Sequence, residues 1–205
     1  MKFSKLFPLV FIWILLVSHT PKNDDALSIQ KKSFLFTNDK QQLETLVRKT
    51  YEWIETKSEV PDFDVIENHK GDKYIGLNLK AHNKKLNELK KTNFFSKNFL
   101  DNYNKIGLKI DDNLKTNKWE FFVGDLPPYG NDSNMWCECQ DNPELYWKTL
   151  KLTDLKIDNN KASFYWIWTV WKDSSKYKVR AVKENGVWKI DYLQGFDYDS
   201  LTKIY

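Results

Sequence analysis

The two cysteines have the clearest chemical potential in this sequence. Cys137 and Cys139 are separated only by Glu138, and the chain contains no other cysteine. In an oxidising compartment such a pair usually forms a disulfide, although a ring this small is strained. Two free thiols are a second interpretation. A metal site is a third, but structural zinc needs four ligands and no histidine lies nearby in the sequence.

Histidine and carboxylate side chains show no catalytic pattern. Outside the N-terminal segment the histidines are His69 and His82, and lysines surround His82, so we expect it to be exposed. Asp111 and Asp112 are adjacent on a predicted helix, where neighbouring side chains point in different directions. We therefore expect them to be solvated rather than to act as an acid/base pair. The sequence predicts no catalytic residue, no cofactor and no metal site.

The elements that would position any site are most regular at the C-terminal end. Apolar alternation predicts four antiparallel strands, which are residues 148–158, 162–171, 177–182 and 187–193. The alternation slips between Leu152 and Leu155, which predicts a β-bulge. Glu184–Asn185–Gly186 predicts a tight hairpin turn. The second strand is apolar on both faces, so we expect other elements to cover both of its faces.

Nine tryptophans are the unusual feature of the composition, and several fall on this sheet. They either build the core or form a partly exposed aromatic floor that binds a ligand. Strand alternation places three cations on the face opposite Val179 and Trp188. The candidate ligand-binding residues are therefore Tyr165, Trp168, Trp171, Lys178, Arg180 and Lys189.

Helical spacing dominates the first half. The predicted helices are residues 40–56, capped by Asp39; residues 79–92, capped by Asn78; and a third, capped by Ser96, that continues to Leu114. Gly107 lies within the third helix, where glycine costs roughly 1 kcal/mol relative to alanine.

The segment from Trp119 to Pro143 predicts a long loop, and long loops in compact domains are often functional. Its carboxylates Asp125, Asp132 and Asp141 do not match the spacing of a calcium loop, so we interpret them as turn caps.

The N-terminal segment predicts export. Residues 1–20 combine a basic start with a short apolar run, which is typical of a signal peptide or an N-terminal anchor. Residues 21–39 are polar and predict a linker, and residues 40–205 predict a single α+β domain. The expected location is periplasmic or secreted, with membrane attachment only through the N-terminal segment if it is not cleaved.

The charge balance argues against nucleic-acid binding. The formal net charge is +4, and Arg48 and Arg180 are the only arginines among the 32 basic residues. Arginine is the residue that best reads phosphate and base edges, so its scarcity disfavours that partner. A small molecule or a protein is the expected partner.

Four segments resemble the nuclear transport factor 2-like (cystatin-like) superfamily, and within it an exported bacterial domain-of-unknown-function family (type 3828). They are Tyr51–Glu52–Trp53, residues 93–100, Cys139–Gln140–Asp141 and residues 186–191. The resemblance covers roughly Gln42 to Leu193. It implies an α+β, cone-like fold in which N-terminal helices pack on a four-stranded antiparallel meander, and it implies export. It carries over no catalytic residue.

The function expected from the sequence is a non-catalytic binding module that uses the aromatic and basic sheet face and the loop at residues 119–143. Two alternatives are a small acid/base enzyme with its site inside the cone, and an immunity-type inhibitor of a toxin. The enzyme needs a buried carboxylate, tyrosine or histidine with a shifted pKa, whereas the binding module needs an exposed patch.

Overall fold

The computed structural model describes residues 23–129, 133–170 and 176–203, so the predicted signal segment lies outside the described residues. The chain divides into two units, Met1–Leu35 and Phe36–Tyr205, and the second carries the sheet. Among the described residues, no helix combines the length and the apolar character that spanning a membrane would require.

Helices dominate the first half, in the order that the sequence predicts. They are α1 (Asn23–Lys57), α2 (Leu79–Thr92) and α3 (Lys97–Lys115), and a short α4 (Tyr198–Thr202) follows the sheet. The predicted caps of α2 and α3 are confirmed. The Asn78 side chain accepts a hydrogen bond from the Ala81 N–H, and the Ser96 side chain accepts one from the Phe99 N–H.

Helix α1 corrects the predicted linker. Residues 23–39 are helical, and α1 continues without a break through Asp39. Asp39 is therefore not a cap. Its carboxylate accepts hydrogen bonds from the Lys183 ammonium and from the Trp188 indole N–H, at 2.5 and 2.9 Å. The sequence did not indicate the earlier start of this helix, because a polar helix segment and a linker have similar compositions.

Two sheets are present among the described residues. The smaller one pairs β1 (Val65–Glu67) with β2 (Tyr74–Leu77). The larger one is the predicted antiparallel meander, with the order β3-β4-β5-β6. Its strands are β3 (Lys151–Asp158), β4 (Lys161–Ile167), β5 (Tyr177–Glu184) and β6 (Val187–Leu193).

Local geometry confirms the predicted bulge and turn. The β3–β4 register shifts between Thr153 and Lys156, and Asp154 has a φ of +53° there. At the β5–β6 turn, Asn185 and Gly186 both have positive φ, which is the requirement of a tight hairpin turn.

The core lies between the helices and one face of the larger sheet, which we call the inner face. Its strand residues include Phe164, Trp166, Val179 and Ile190, all at most 2% exposed. Helix α1 contributes Tyr51, whose hydroxyl accepts a hydrogen bond from the Trp166 indole N–H at 3.0 Å. Helix α3 contributes a fully buried stripe that comprises Phe99, Tyr103, Ile106 and Ile110.

The opposite face of the sheet is open, contrary to the prediction that β4 is covered on both sides. Ser163, Tyr165 and Ile167 alternate with the buried residues of β4 and are only half-buried. Apolar character on both faces of a strand therefore did not mean burial on both faces here.

Candidate functional site

The open face of the larger sheet, which we call the outer face, collects basic side chains from three strands. Ser163 of β4 lies at its centre, with Lys156 as its partner on β3 and Arg180 as its partner on β5. Lys161 and Tyr165 precede and follow Ser163 by two residues on the same side of β4. Tyr165 pairs with Lys178 of β5.

Four cations of the outer face are exposed and form no ion pair within the described residues. Lys156, Lys161, Lys178 and Arg180 are all exposed. Within the described part of the chain, none of these four forms an ion pair. Clustered like charges repel and destabilise a folded protein slightly, so a structural role does not explain their grouping.

Two tyrosines supply the aromatic component of this face. The guanidinium carbon of Arg180 lies 4.2 Å from the centroid of the Tyr192 ring, and the Lys176 ammonium lies 5.7 Å from that of Tyr165. Lys176 is also paired with Asp154 at 2.6 Å. Both tyrosines are half-buried, so each ring offers a surface while supporting a cation.

Tyr192 was missed by sequence reasoning, because strict alternation from Trp188 and Ile190 puts it on their side of β6. The β5–β6 register shifts between Arg180 and Ala181, so that Arg180 opposes Tyr192 and Ala181 opposes Ile190. Asp191 is the extra residue of this bulge. A bulge reverses the alternation beyond it, and no Gly or Pro marks it in the sequence.

Among the described residues of the predicted aromatic floor, only Tyr165 lies on the outer face. Trp168 is 6% exposed and belongs to the core, where its ring lies 5.9 Å from those of both Tyr146 and Trp166. It is therefore no part of an exposed floor. Trp171 lies outside the described residues.

Two of the three predicted cations are exposed where the sequence indicated. Lys178 and Arg180 are exposed on the outer face, as alternation predicted. Lys189 opposes Val182 on the same side, but it is only half-exposed and is paired with Glu184 at 3.1 Å. It therefore contributes little free charge.

Cys137 and Cys139 are joined in a disulfide, the first of the three predicted alternatives. The disulfide belongs to a tight loop in which the Asn134 N–H donates to the Cys139 carbonyl at 2.9 Å. Glu138, between the cysteines, accepts a hydrogen bond from the Gln194 side chain, and Gln194 accepts one from the Lys178 N–H. The disulfide loop is thereby tied to β5.

The long loop at residues 119–143 is anchored by aromatic residues rather than left free. Trp119, Phe121 and Trp136 are each at most 5% exposed. The Trp136 indole N–H donates to Asp62 at 2.8 Å. These side chains belong to the core and are unavailable to a ligand. Of the loop carboxylates Asp125, Asp132 and Asp141, Asp132 lies outside the described residues.

The side chains best suited to acid/base chemistry bind other groups of the same chain. Asp62 accepts hydrogen bonds from the Tyr103 hydroxyl at 2.7 Å and from Trp136, and the Lys85 ammonium lies 3.6 Å away. Lys85 is 2% exposed and also donates to the Val60 carbonyl. Every partner of this cluster is a group of the chain itself, as expected of a structural network.

Buried tyrosines likewise serve as fixed donors. Burial raises the pKa of Tyr51 and of Tyr177 well above the ordinary tyrosine value, so both stay protonated at neutral pH. The Tyr51 hydroxyl donates to the Trp136 carbonyl, and the Tyr177 hydroxyl donates to the Met135 carbonyl. These bonds hold the disulfide loop on the core.

Two predictions about polar residues were wrong. His82 is 1% exposed, with its Nε2 3.1 Å from the Asn104 side-chain oxygen. Asp111 is 8% exposed, and its carboxylate accepts hydrogen bonds from the Leu77 N–H and the Lys115 ammonium. Asp112 remains at the surface, paired with Lys109 and Lys118. A charged neighbourhood in sequence did not reveal which side of each helix faces the core.

No grouping of three or more histidine, cysteine or carboxylate side chains suited to a metal ion occurs among the described residues. No family model, no curated protein and no solved structure matches this chain. The function must therefore be argued from the arrangement of its own side chains.

Proposed function

We propose that this protein is an exported, non-catalytic binding module whose outer face binds an anionic ligand or partner. The observation that carries the proposal is the group of four exposed cations, Lys156, Lys161, Lys178 and Arg180, without ion pairs within the described residues. Charge complementarity between such a face and an anionic partner accelerates association and selects the partner.

The proposal includes the nuclear transport factor 2-like fold and export, both of which rest on the resemblance and on the N-terminal sequence pattern. Helices followed by a four-stranded antiparallel meander are consistent with that fold. Cell fractionation tests export: the protein should be found outside the cytoplasm, and a wholly cytoplasmic protein would contradict this part.

Binding of a generic polyanion tests the outer face. We expect the wild-type protein to bind poly-L-glutamate at low salt and to release it as salt screens the charges. Arg180→Glu with Lys178→Glu should weaken this binding strongly without lowering the melting temperature, because both side chains are exposed.

Lys80→Glu with Lys91→Glu is the matched control, since it changes the net charge by the same amount and both are exposed lysines of α2 rather than of the sheet. It should leave the affinity nearly unchanged. Equal loss of binding in the two variants would indicate a response to net charge alone and would overturn the assignment of binding to the outer face.

A further inference from the structure

A shallow hollow of about 480 Å³ lies within the outer face. We call it the Ser163 hollow. Its polar lining comprises Lys156, Asp158, Lys161, Ser163, Arg180 and Asp191. Its apolar lining includes the buried residues Ala162 and Ala181, whose small side chains point to the inner face.

Strand register brings three cations around one hydroxyl. Ser163 is directly paired with Lys156 on one side and Arg180 on the other, which puts their Cβ atoms about 5 Å from its own. Lys161 is two residues away on the same strand, about 7 Å along it. An atom above Ser163 is therefore within reach of two ammonium groups and one guanidinium.

The donors in the hollow have no competing partner. Within the described residues, the Ser163 hydroxyl makes no hydrogen bond, and the three cations make no ion pair. The Tyr192 ring supports the Arg180 guanidinium from one side at 4.2 Å. A stacked guanidinium keeps its N–H edge available and suits bidentate contact with a planar or tetrahedral oxyanion.

The two carboxylates restrict where an anion can lie. Asp158 is directly opposite Lys161 in the β3–β4 register, and Asp191 accepts a hydrogen bond from the Ser96 hydroxyl at 2.7 Å. Their negative charges disfavour an anion next to them. The position that remains for an anion is over Ser163, between Lys156 and Arg180. Their remaining lone pairs can accept hydrogen bonds from ligand hydroxyls.

We propose that the Ser163 hollow binds the oxyanion of a phosphate or sulfate ester whose alcohol part carries free hydroxyls. The oxyanion lies over Ser163 between Lys156 and Arg180, and the hydroxyls reach Asp158 and Asp191. This inference rests on the proposed anion-binding function of the outer face and specifies the ligand class. The same chemistry is offered by a soluble phosphate ester and by a phospholipid headgroup.

A titration with glycerol 3-phosphate, followed by amide chemical shifts, tests the inference. We expect the largest shifts at Ser163 and its strand neighbours, and tighter binding of glycerol 3-phosphate than of methyl phosphate, which lacks the free hydroxyls. Equal affinities for the two esters would overturn the hydroxyl requirement. The absence of saturable shifts at Ser163 would overturn the site.

Arg180→Lys is the decisive variant, because it keeps the charge and removes the guanidinium fork. It should weaken glycerol 3-phosphate binding about ten-fold or more, as expected for loss of a charged hydrogen bond. Lys178→Ala is the control, since Lys178 lies on the outer face but does not line the hollow. Equal weakening in both variants would contradict specific binding in the Ser163 hollow.

Vesicles of phosphatidylcholine with and without phosphatidylglycerol distinguish the two sources of the ester. Binding that depends on phosphatidylglycerol and on Arg180 identifies a headgroup, whereas binding of the soluble ester alone identifies a small molecule. If poly-L-glutamate binds the outer face while neither phosphate ester does, this inference fails and the proposed function stands. If none of them binds, both fail.

Discussion

At the residue scale, Gly107 shows why composition alone misjudged a position. A Cβ built on Gly107 would lie 2.3 Å from Cε1 of His82 and within 2.8 Å of both ring nitrogens. The His82 ring is stacked on Tyr103 at a centroid distance of 5.5 Å and cannot move away freely. Glycine is therefore required here for close packing of α2 on α3, whereas the sequence suggested only a tolerated helix position.

Gly107→Ala should destabilise the protein by roughly 1–3 kcal/mol, although alanine is the better helix former, because the methyl group overpacks the α2–α3 contact. The free energy of unfolding in urea measures this. Leu108→Ala is the control: Leu108 is the next residue of α3, is 50% exposed, and should change stability little. A stabilised Gly107→Ala protein would refute the contact.

His82 predicts a pH dependence. Burial lowers the pKa of His82, although the Asn104 hydrogen bond and the Asp62 charge act in the opposite direction. Since Asn104 presents an oxygen to Nε2, a second proton would go to Nδ1, which is buried without a partner within the described residues. The folded protein therefore resists protonation more than the unfolded chain does.

This contribution to stability is complete above the ordinary histidine pKa of 6.5 and is lost as the pH falls from there through the lowered folded-state pKa. We expect the urea midpoint of the wild-type protein to fall over this range more steeply than that of His82→Gln. Parallel profiles for the two proteins would show that His82 does not carry the effect.

At the element scale, β4 has two unlike faces. Trp166 is 1% exposed, stacks on Tyr177 at a centroid distance of 5.2 Å and donates its indole N–H to Tyr51. Its neighbour Ile167 is half-exposed on the outer face. The strand thus joins the core to the candidate binding face, and a ligand can reach only one of its sides.

Alanine substitutions should separate these faces. Trp166→Ala should cost about 3–5 kcal/mol, because it leaves a cavity and removes the hydrogen bond to Tyr51. Ile167→Ala should cost only about 1 kcal/mol, since its side chain is only partly buried. Urea unfolding of the two variants measures both; similar large losses would mean that the outer face is covered.

At the scale of the whole molecule, every buried core side chain among the described residues belongs to the second unit. The first buried apolar side chain among those described is Leu43, and Leu46, Val47 and Tyr51 follow on the same side of α1. In contrast, Phe34, Leu35 and Phe36 are 71%, 50% and 45% exposed. Phe34 and Leu35 therefore add little apolar burial to the core.

A chain shortened to begin at Phe36 should keep the urea midpoint and the cooperativity of the full chain. A chain that begins at Arg48 should lose cooperative unfolding, because it lacks Leu43, Leu46 and Val47 and the Asp39 carboxylate that binds Lys183 and Trp188. Circular dichroism during urea titration distinguishes the two. Equal stability of both shortened chains would contradict this account of the core.

Local sequence patterns were sufficient for much of the architecture. The caps at Asn78 and Ser96, the bulge before Leu155 and the turn at Asn185–Gly186 were all predictable, because each depends on a few adjacent residues. The order of helices and strands followed for the same reason. Lys178 and Arg180 were also placed correctly, since the extra residue of the bulge lies on β6 and leaves the alternation of β5 uninterrupted.

Only the tertiary structure decided which faces are buried and which groups meet. Trp168 was a candidate for an exposed floor, and His82 and Asp111 were expected at the surface, yet packing against other elements buries all three. The Ser163 hollow depends on the register of three strands. The position of Tyr192 depends on a bulge that no Gly or Pro in the sequence indicates. Periodicity in the sequence distinguishes the two sides of an element. Packing over the whole chain determines which of the two sides is exposed to water.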